Sequence, residues 1–514
     1  MLYEYLTCTN VASAVGVLLA LKVLKFLYAE WSSPLNILPG PKSSSFLFGN
    51  MKQIWSSDPY VLEEKWLDEY GPAVVYKGLF GMNQLFTIDT KAVNHILMNS
   101  NLYQKPVAAR KNMERIMGPG LVVVEGEDHK RQLKNVWNSE LSASKDGTAR
   151  IEALSWLSKV TLNVIGLAGF HYDFEALSKG AKENELNAAF STIFQTGGPM
   201  NMFNVLRNFI PALSKLPLKR NWDSQHAGET LFKISRRLLQ ESQEALGQGL
   251  DFKSTPGTGK DLLSILVQAN SSEDVPPEQR LTDEDVLAQV ATFLVAGYET
   301  TSTEATWSLY ALATHPEVQS KLRAELLAVN VEEPTMDQLN NLPYLDAFIR
   351  EVLRLFPAIA SKIRVAMEDD VLPLSQPIKT KDGYMISRIP VRKGQIVNIP
   401  IMSLNRAKSI WGEDACEFKP ERWLSPPKEA SAIPGLWGNI LTFLGGPRSC
   451  IGYRFSLTEL KAIMFILVRE FEYELAVPKD DIKMKTALFL RPLVASDLKS
   501  GNQMPLIIKR HIIT

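Results

Sequence analysis

The sequence predicts a mainly α-helical fold with a small β region, preceded by one membrane-spanning helix at the N-terminus. Three observations carry this. Helical periodicity dominates from about residue 60 to 355. Between about 360 and 400 it gives way to short strand-like runs bounded by turn residues. The first thirty residues hold an uncharged run from Val11 to Leu21.

That run sets the first element. Val23, Leu24, Phe26, Leu27 and Tyr28 extend its apolar character past Lys22 and Lys25. The segment approaches the ~20 residues that span a bilayer, and the two lysines can snorkel to an interface. Glu4 precedes the run and the lysines follow it, so the positive-inside rule puts the body in the cytosol. A cleaved signal wants basic residues first and a small-residue cleavage site after, and Ala29-Glu30-Trp31 is a poor one. Residues 1–30 are therefore expected to be an uncleaved anchor, with a tilted or interfacial helix as the variant. Pro34, Pro39 and Pro41 make 31–45 a stiff, non-helical hinge. Residues 46–514 follow as the body.

The body has ordinary composition. The whole 514-residue chain carries 56 basic and 56 acidic residues, which excludes a basic footprint for nucleic acid. An apolar content of 45% fits a globular protein. Three cysteines, Cys8, Cys416 and Cys450, are too few for a disulfide framework and fit a reduced compartment. Cys8 and Cys416 have no supporting neighbours and read as small buried hydrophobes.

Further elements follow in order. Residues 248–280 read as a polar surface loop. Thr282-Asp283-Glu284-Asp285 has capping-box spacing before an apolar-periodic run that stops at His315-Pro316. A helix of that extent, ~45 Å at 1.5 Å per residue, should cross the core. In its middle stands Ala296-Gly297-Tyr298-Glu299-Thr300-Thr301, where glycine and hydroxyls suggest a helix that opens or kinks. Glu299 either lies on a solvated face beside a back-bonded Thr300, or it has a partner or a task. Lys381-Asp382-Gly383 marks a hairpin, and Lys393-Gly394 a second turn. Residues 455–472 return to helix, and the tail alternates in short strands.

The most informative segment is Phe443-Leu444-Gly445-Gly446-Pro447-Arg448-Ser449-Cys450-Ile451-Gly452. A thiolate that binds iron needs its charge stabilised and its approach open. Gly446 and Gly452 let backbone come close. Phe443 can shield the ligand, and Arg448 can meet a carboxylate. A helix starting after Cys450 would turn its positive end toward the sulfur.

This segment resembles the haem-binding loop of the cytochrome P-450 family, with Leu444 where many members have Gly or Ser. Ala296 to Thr301 is similar to the family's oxygen-activating stretch, Glu351-Val352-Leu353-Arg354 to its Glu-x-x-Arg motif, and Phe418 to Trp423 to the loop whose Arg422 completes a triad. The resemblance spans roughly residues 34–510 and implies the cytochrome P-450 fold, with 46–514 as the catalytic domain. It implies haem b with Cys450 as axial thiolate, and Glu351, Arg354 and Arg422 as a structural network. It implies cofactor contacts from Phe443, Gly446, Arg448, Gly452, Ala296, Gly297 and Arg364. Where the family often has Trp-x-x-x-Arg near residues 126–140, this chain has His129 and Leu133. His129 is expected to reach a propionate, and Leu133 leaves the second contact open.

The resemblance further implies a monooxygenase in which Glu299 and Thr300 relay protons. The chain holds no flavin or nicotinamide fingerprint, so electrons are expected from a separate NADPH-dependent reductase. The anchor and the apolar residues Met200, Met202, Phe203, Phe209, Ile210 and Leu213 suggest a lipophilic substrate entering from the endoplasmic reticulum membrane. Similarity to fungal membrane-bound members points to terpenoids of secondary metabolism. A haem-thiolate isomerase or dehydratase, and a non-catalytic haem-binding protein, are the rival readings, and the intact Glu299-Thr300 pair weighs against both.

Overall fold

The structure is a computed structural model, described for residues 2–106, 148–170, 172, 174, 176, 219–247, 263, 267, 282–486 and 488–511. The positions 126–140 with His129 and Leu133, the apolar cluster Met200 to Leu213, and nearly all of 248–280 lie outside the described residues. The helices used below are α1 (Leu2–Trp31), α2 (Thr90–Met98), α3 (Ala153–Phe170), α4 (Lys219–Gly247), α5 (Asp283–Thr314), α6 (Pro316–Leu327), α7 (Pro343–Leu355) and α8 (Tyr453–Glu470). The chain forms two compact units, each built from separated stretches of sequence.

The first unit comprises Met1–Lys105, Ser361–Leu404 and Gly446–Arg448. Its sheet joins β1 (Ala73–Lys77), β2 (Asn83–Thr87), β8 (Ile396–Ile399), β5 (Lys362–Ala366) and β3 (Tyr103–Gln104) in that order. Helical periodicity did not announce β1 and β2. Val74, Val75 and Tyr76 are all buried, as are Leu85 and Phe86, so both faces of the hairpin are covered and the two-residue alternation is missing. The expected hairpin is present: β6 (Asp370–Lys379) pairs with β7 (Met385–Val391) across the Asp382-Gly383 turn.

The proline hinge departs from expectation. Pro34–Ile37 forms a short 3-10 helix, capped where the Ser33 hydroxyl accepts the Leu35 N–H at 3.3 Å. Proline pre-sets φ for a first helical position. Leu35 and Leu38 are buried, and the Val75 N–H bonds Pro39 at 3.0 Å, so this segment is docked on β1. The end of α1 is tied down as well: the Glu30 carboxylate accepts the Asn83 N–H at 2.7 Å. Burial raises the Glu30 acid above its ordinary value.

The second unit comprises Pro106–Ala360, Asn405–Gly445 and Ser449–Thr514. α5 runs unbroken for 32 residues with the capping box in place, Thr282 accepting from Asp285 and Asp285 from Thr282. No opening interrupts 296–301. Gly297 has a different use: a Cβ there would lie 2.8 Å from Ile165 Cγ1, so the missing side chain lets α3 and α5 touch. Thr161 Oγ1 donates to the Tyr298 carbonyl at 2.9 Å beside this contact. Leu162, Ile165, Leu231, Leu238, Val290 and Leu294 form the core around these helices and α4. Full burial of each such side chain contributes about 1.5–3 kcal/mol. The tail supplies β9 (Phe471–Leu475), β10 (Ile482–Thr486), β11 (Leu490–Val494) and β12 (Pro505–Arg510). β12 pairs with β9 and with β4 (Thr148–Glu152), and β10 pairs with β11.

Candidate active site

Cys450 stands two residues before Gly452, the N-cap of α8. No side chain caps this helix, so its first N–H groups favour negative charge nearby. The Cys450 N–H donates to the Phe443 carbonyl at 2.8 Å, which closes the loop into a ring. Phe443 is buried between Trp437 and Tyr453, with both ring centroids 6.1 Å away. The cysteine itself is exposed. Leu444, at the family's usual Gly or Ser position, has a left-handed φ of 55°. In the first unit, Gly446 has φ 69°, and a Cβ there would lie 2.6 Å from the Leu97 carbonyl at the end of α2. Only glycine satisfies both conditions.

Behind this loop lies the network around Glu351. Its carboxylate accepts Arg354 at 2.8 and 2.9 Å, Arg422 at 3.3 Å, the Trp423 indole at 3.1 Å and the Lys419 N–H at 3.0 Å. Arg354 and Glu351 are completely buried. Arg354 also donates to the carbonyls of Asn405 at 2.9 Å and Ala415 at 2.6 Å. Asn405 passes the constraint on, accepting the Leu441 N–H at 2.8 Å and donating to Thr442 Oγ1 at 2.9 Å. The ion pair thus holds the residues that lead into Phe443. Asp414 accepts Arg422 at 2.8 Å, and Arg422 with Lys419 lowers its carboxyl to about 2. The expectation of a buried Cys416 fails. Its neighbours Ala415 and Glu417 turn their carbonyls inward to Arg354, and Cys416 is exposed.

In the first unit, Arg364 is 5% exposed, and among the described residues its guanidinium donates only to the Ile363 carbonyl, at 3.0 Å. Burial, and then Arg448, lower its pKa; burial, Arg364 and Arg448 do the same for Lys105. Three cations crowd one another, and among the described residues no ion pair is found for any of them. Such a cluster wants anions, and the two carboxylates of a haem supply that chemistry. Sequence reasoning missed Lys105, because a single lysine before Pro106 carries no local signal. In the first unit these cations fit the carboxylates of a haem, and in the second the exposed Cys450 fits a ligand for its iron.

On α5, Glu299 is buried and forms an ion pair with Arg491 of β11, while the Tyr298 hydroxyl donates to its other oxygen. It therefore lies on no solvated face. Thr300 is half-buried, and its Oγ1 donates to the Ala296 carbonyl at 2.7 Å. Thr301 Oγ1 lies 3.3 Å from Ser456 Oγ of α8, near a buried Glu459 whose acid burial raises to about 8.

The comparisons agree with this chemistry. The family model described as Cytochrome P-450 matches residues 140–496. Cytochrome P-450 monooxygenase 128 of Postia placenta is 45% identical, covering 99% of this chain and 99% of its own length. Cytochrome P-450 monooxygenase 205 of the same fungus is also 45% identical, over 97% and 98%. Cytochrome P-450 monooxygenase claP of Ampulloclitocybe clavipes is 35% identical, over 92% and 93%. With the thiol loop at the head of α8 and the buried network behind it, these matches show that the chain belongs to the cytochrome P-450 family and is a haem-dependent monooxygenase.

Proposed function

We propose that this monooxygenase places one oxygen atom of dioxygen into a lipophilic small molecule, with terpenoids as the first class to test. The observation that carries the site is Cys450, exposed at the uncapped start of α8 and ringed by Phe443. Bound haem, ligated by that thiolate, supplies the oxygen-activating chemistry. In the second unit Cys450 would hold the iron, with Phe443 keeping water from the sulfur; in the first unit Arg364, Arg448 and Lys105 would neutralise carboxylates of the cofactor. Thr300 Oγ1 positions a proton at the half-open face of α5.

The family's need for a redox partner supports an NADPH-dependent reductase as electron donor. A membrane location is supported by α1. Val17, Leu18, Leu21, Val23 and Leu24 are each more than half exposed, an arrangement that water disfavours and acyl chains accept. At 30 residues and ~45 Å the helix is long enough to span. We place it as a single pass in the endoplasmic reticulum, with the body on the cytosolic side.

Co-expression with a fungal reductase, feeding of candidate terpenes, and product analysis test the activity. NADPH-dependent oxygenated product is expected. Product formed without NADPH would indicate an isomerase or dehydratase. Removal of residues 1–28 should release haem-loaded protein from the membrane fraction, and a truncated protein that stays there regardless of salt would contradict the single-pass anchor.

A further inference from the structure

A cavity of about 440 Å³ lies in the first unit, where the end of α1 meets the 43–46 loop and the β1–β2 turn. That size falls in the ~300–1,000 Å³ range of small-molecule sites. Three phenylalanines, Phe26, Phe46 and Phe80, line it, and Glu30 and Lys77 bring one charge of each sign. Backbone hydrogen bonds hold the walls. The Gly78 N–H donates to the Met82 carbonyl at 2.7 Å, and the Phe80 N–H to the Leu47 carbonyl at 2.8 Å. Phe80 has a left-handed φ of 56°, which a bulky side chain rarely adopts. Strain of this kind gathers at ligand clamps, where the surroundings over-determine the backbone. Phe46 is 71% exposed, an aromatic ring held at the rim.

The polar groups divide by sign. The Glu30 carboxylate accepts the Asn83 N–H at 2.7 Å, and a carboxylate has about four lone-pair sites, so capacity for a cation remains. Lys77 donates to Asn83 Oδ1 at 2.7 Å, which uses one of its three N–H groups. Burial lowers the pKa of Lys77; Glu30 opposes this and Lys381 adds to it. A half-buried cation with a second lysine nearby favours an anion. Ser45 Oγ accepts the Phe48 N–H at 3.3 Å, so its own O–H can still donate. The Ser45 carbonyl already accepts the Ser43 hydroxyl at 2.9 Å and the Gly49 N–H at 2.7 Å. A primary ammonium, with three N–H groups to satisfy, therefore finds few open acceptors. A quaternary ammonium needs none and prefers aromatic faces. The cavity also sits at a defined depth. Leu27 lines it, and Val23 and Leu24, one turn earlier on the same helix face, are more than half exposed. Tyr28 and Trp31, with ring centroids 6.2 Å apart, are exposed aromatics of the kind found at headgroup level.

We propose that this cavity binds the headgroup of one phosphatidylcholine molecule, with the quaternary ammonium among Phe26, Phe46, Phe80 and Glu30 and the phosphate on Lys77 and Ser45. The inference rests on the membrane placement of α1 proposed above. The acyl chains run along the exposed face of Leu27, Leu24 and Val23, toward the part of the helix that the bilayer covers. Both charges of the headgroup then meet their opposites in one small site. The lipid ties α1 to the β1–β2 turn and fixes the angle at which this unit leaves the membrane.

The test uses the full-length holoprotein in a non-ionic detergent, offered dioleoyl-phosphatidylcholine, dioleoyl-phosphatidylethanolamine or dioleoyl-phosphatidylglycerol. Native mass spectrometry counts the lipid retained on each chain, and titration gives its affinity. One phosphatidylcholine should be held per chain. The other two lipids should bind about 5- to 30-fold more weakly, the factor that a partly desolvated cation–π contact supplies. Phe46→Ser removes an exposed wall and should lose the same factor, with haem content unchanged as the check on folding. Glu30→Gln keeps an oxygen for the Asn83 N–H and removes the charge, so the preference over phosphatidylglycerol should vanish. Tyr28→Ser, on the same helix but outside the cavity, should bind as wild type does. Equal retention of the three lipids, or unchanged affinity in both cavity variants, overturns the proposal and leaves only unselective lipid around α1. Tighter binding of phosphatidylethanolamine or phosphatidylglycerol overturns it as well. Membrane sedimentation, measured on the same proteins, separates the two readings. If wild type sediments with membranes but selects no lipid, the anchor stands and the site falls. If it does not sediment and still selects phosphatidylcholine, the anchor falls and the site stands.

Discussion

Glu299 and Arg491 form an ion pair in which the side chains are 2% and 10% exposed. Charges so far from water are tolerated only while they hold each other. Arg491→Met should strand the Glu299 carboxylate and lower stability by about 3–5 kcal/mol. Adding Glu299→Gln should recover most of that loss, because a neutral amide needs no counter-ion. Denaturant midpoints of the two single mutants and the double mutant check this. Additive losses would mean that the residues do not act as a pair.

Cys450→Ser should leave a folded chain that lacks the reduced carbon-monoxide band of a thiolate-ligated haem. Cys416→Ser should keep the band, since Cys416 sits on the loop whose carbonyls serve Arg354. Difference spectra of both proteins decide the assignment.

Arg354→Ala removes the donor that links Glu351 to Asn405 and leaves a fully buried carboxylate behind. A loss of about 3–5 kcal/mol follows, large against the stability of a typical domain. Little soluble, haem-loaded protein is expected. A well-folded holoprotein with only its turnover altered would show that the network serves catalysis.

Glu459 gives a pH dependence with a definite sign. Its folded acid is raised to about 8 by burial, against 4.5 as the ordinary value. The folded state therefore binds the proton more tightly than the unfolded state, and stability falls as pH rises from about 4.5 to 8. At neutral pH the loss is ~3 kcal/mol in order of magnitude. Glu459→Gln should flatten that slope and raise the melting temperature near pH 8. An unchanged slope would show that Glu459 meets solvent.

Gly297→Ala sets two effects against each other. Alanine gains about 1 kcal/mol of helix propensity. Its Cβ would press on Ile165 at 2.8 Å, and overpacking costs about 1–3 kcal/mol. A net loss is expected, smaller when Ile165→Val is added. Thermal melts of the three proteins measure the balance.

What could be read before the structure was what is local. The capping box at Thr282, the Asp382-Gly383 turn and the Phe443–Cys450 loop each state their geometry within ten residues. The β1–β2 hairpin was hidden because both its faces are covered, which erases strand periodicity. Equally hidden were the partner of Glu299, the Ala358 N–H that donates to Glu304 at 2.6 Å, and the Asn405 carbonyl that accepts from Arg354. Arg491, Ala358 and Asn405 lie far along the chain, and no spacing rule connects an acid to an arginine on a distant strand. The suggested helix opening at Gly297 misread a packing glycine as a flexible one. From composition alone the two uses look the same.

The grip of α5 on β11 also bears on the order in which the molecule is made. Trp307 donates to the Leu490 carbonyl at 2.8 Å across 183 residues of sequence, and Arg491 follows directly. During synthesis the central helix leaves the ribosome long before its strand exists. Until then Glu299 has no guanidinium and the Trp307 indole has no acceptor, so burying that part of α5 is unfavourable. The second unit can finish its core only once Leu490 and Arg491 have been made, which lengthens the time that apolar surface is exposed to aggregation and to chaperones. A nascent chain stopped short of Leu490 should remain protease-sensitive at α5, however well its earlier helices have formed.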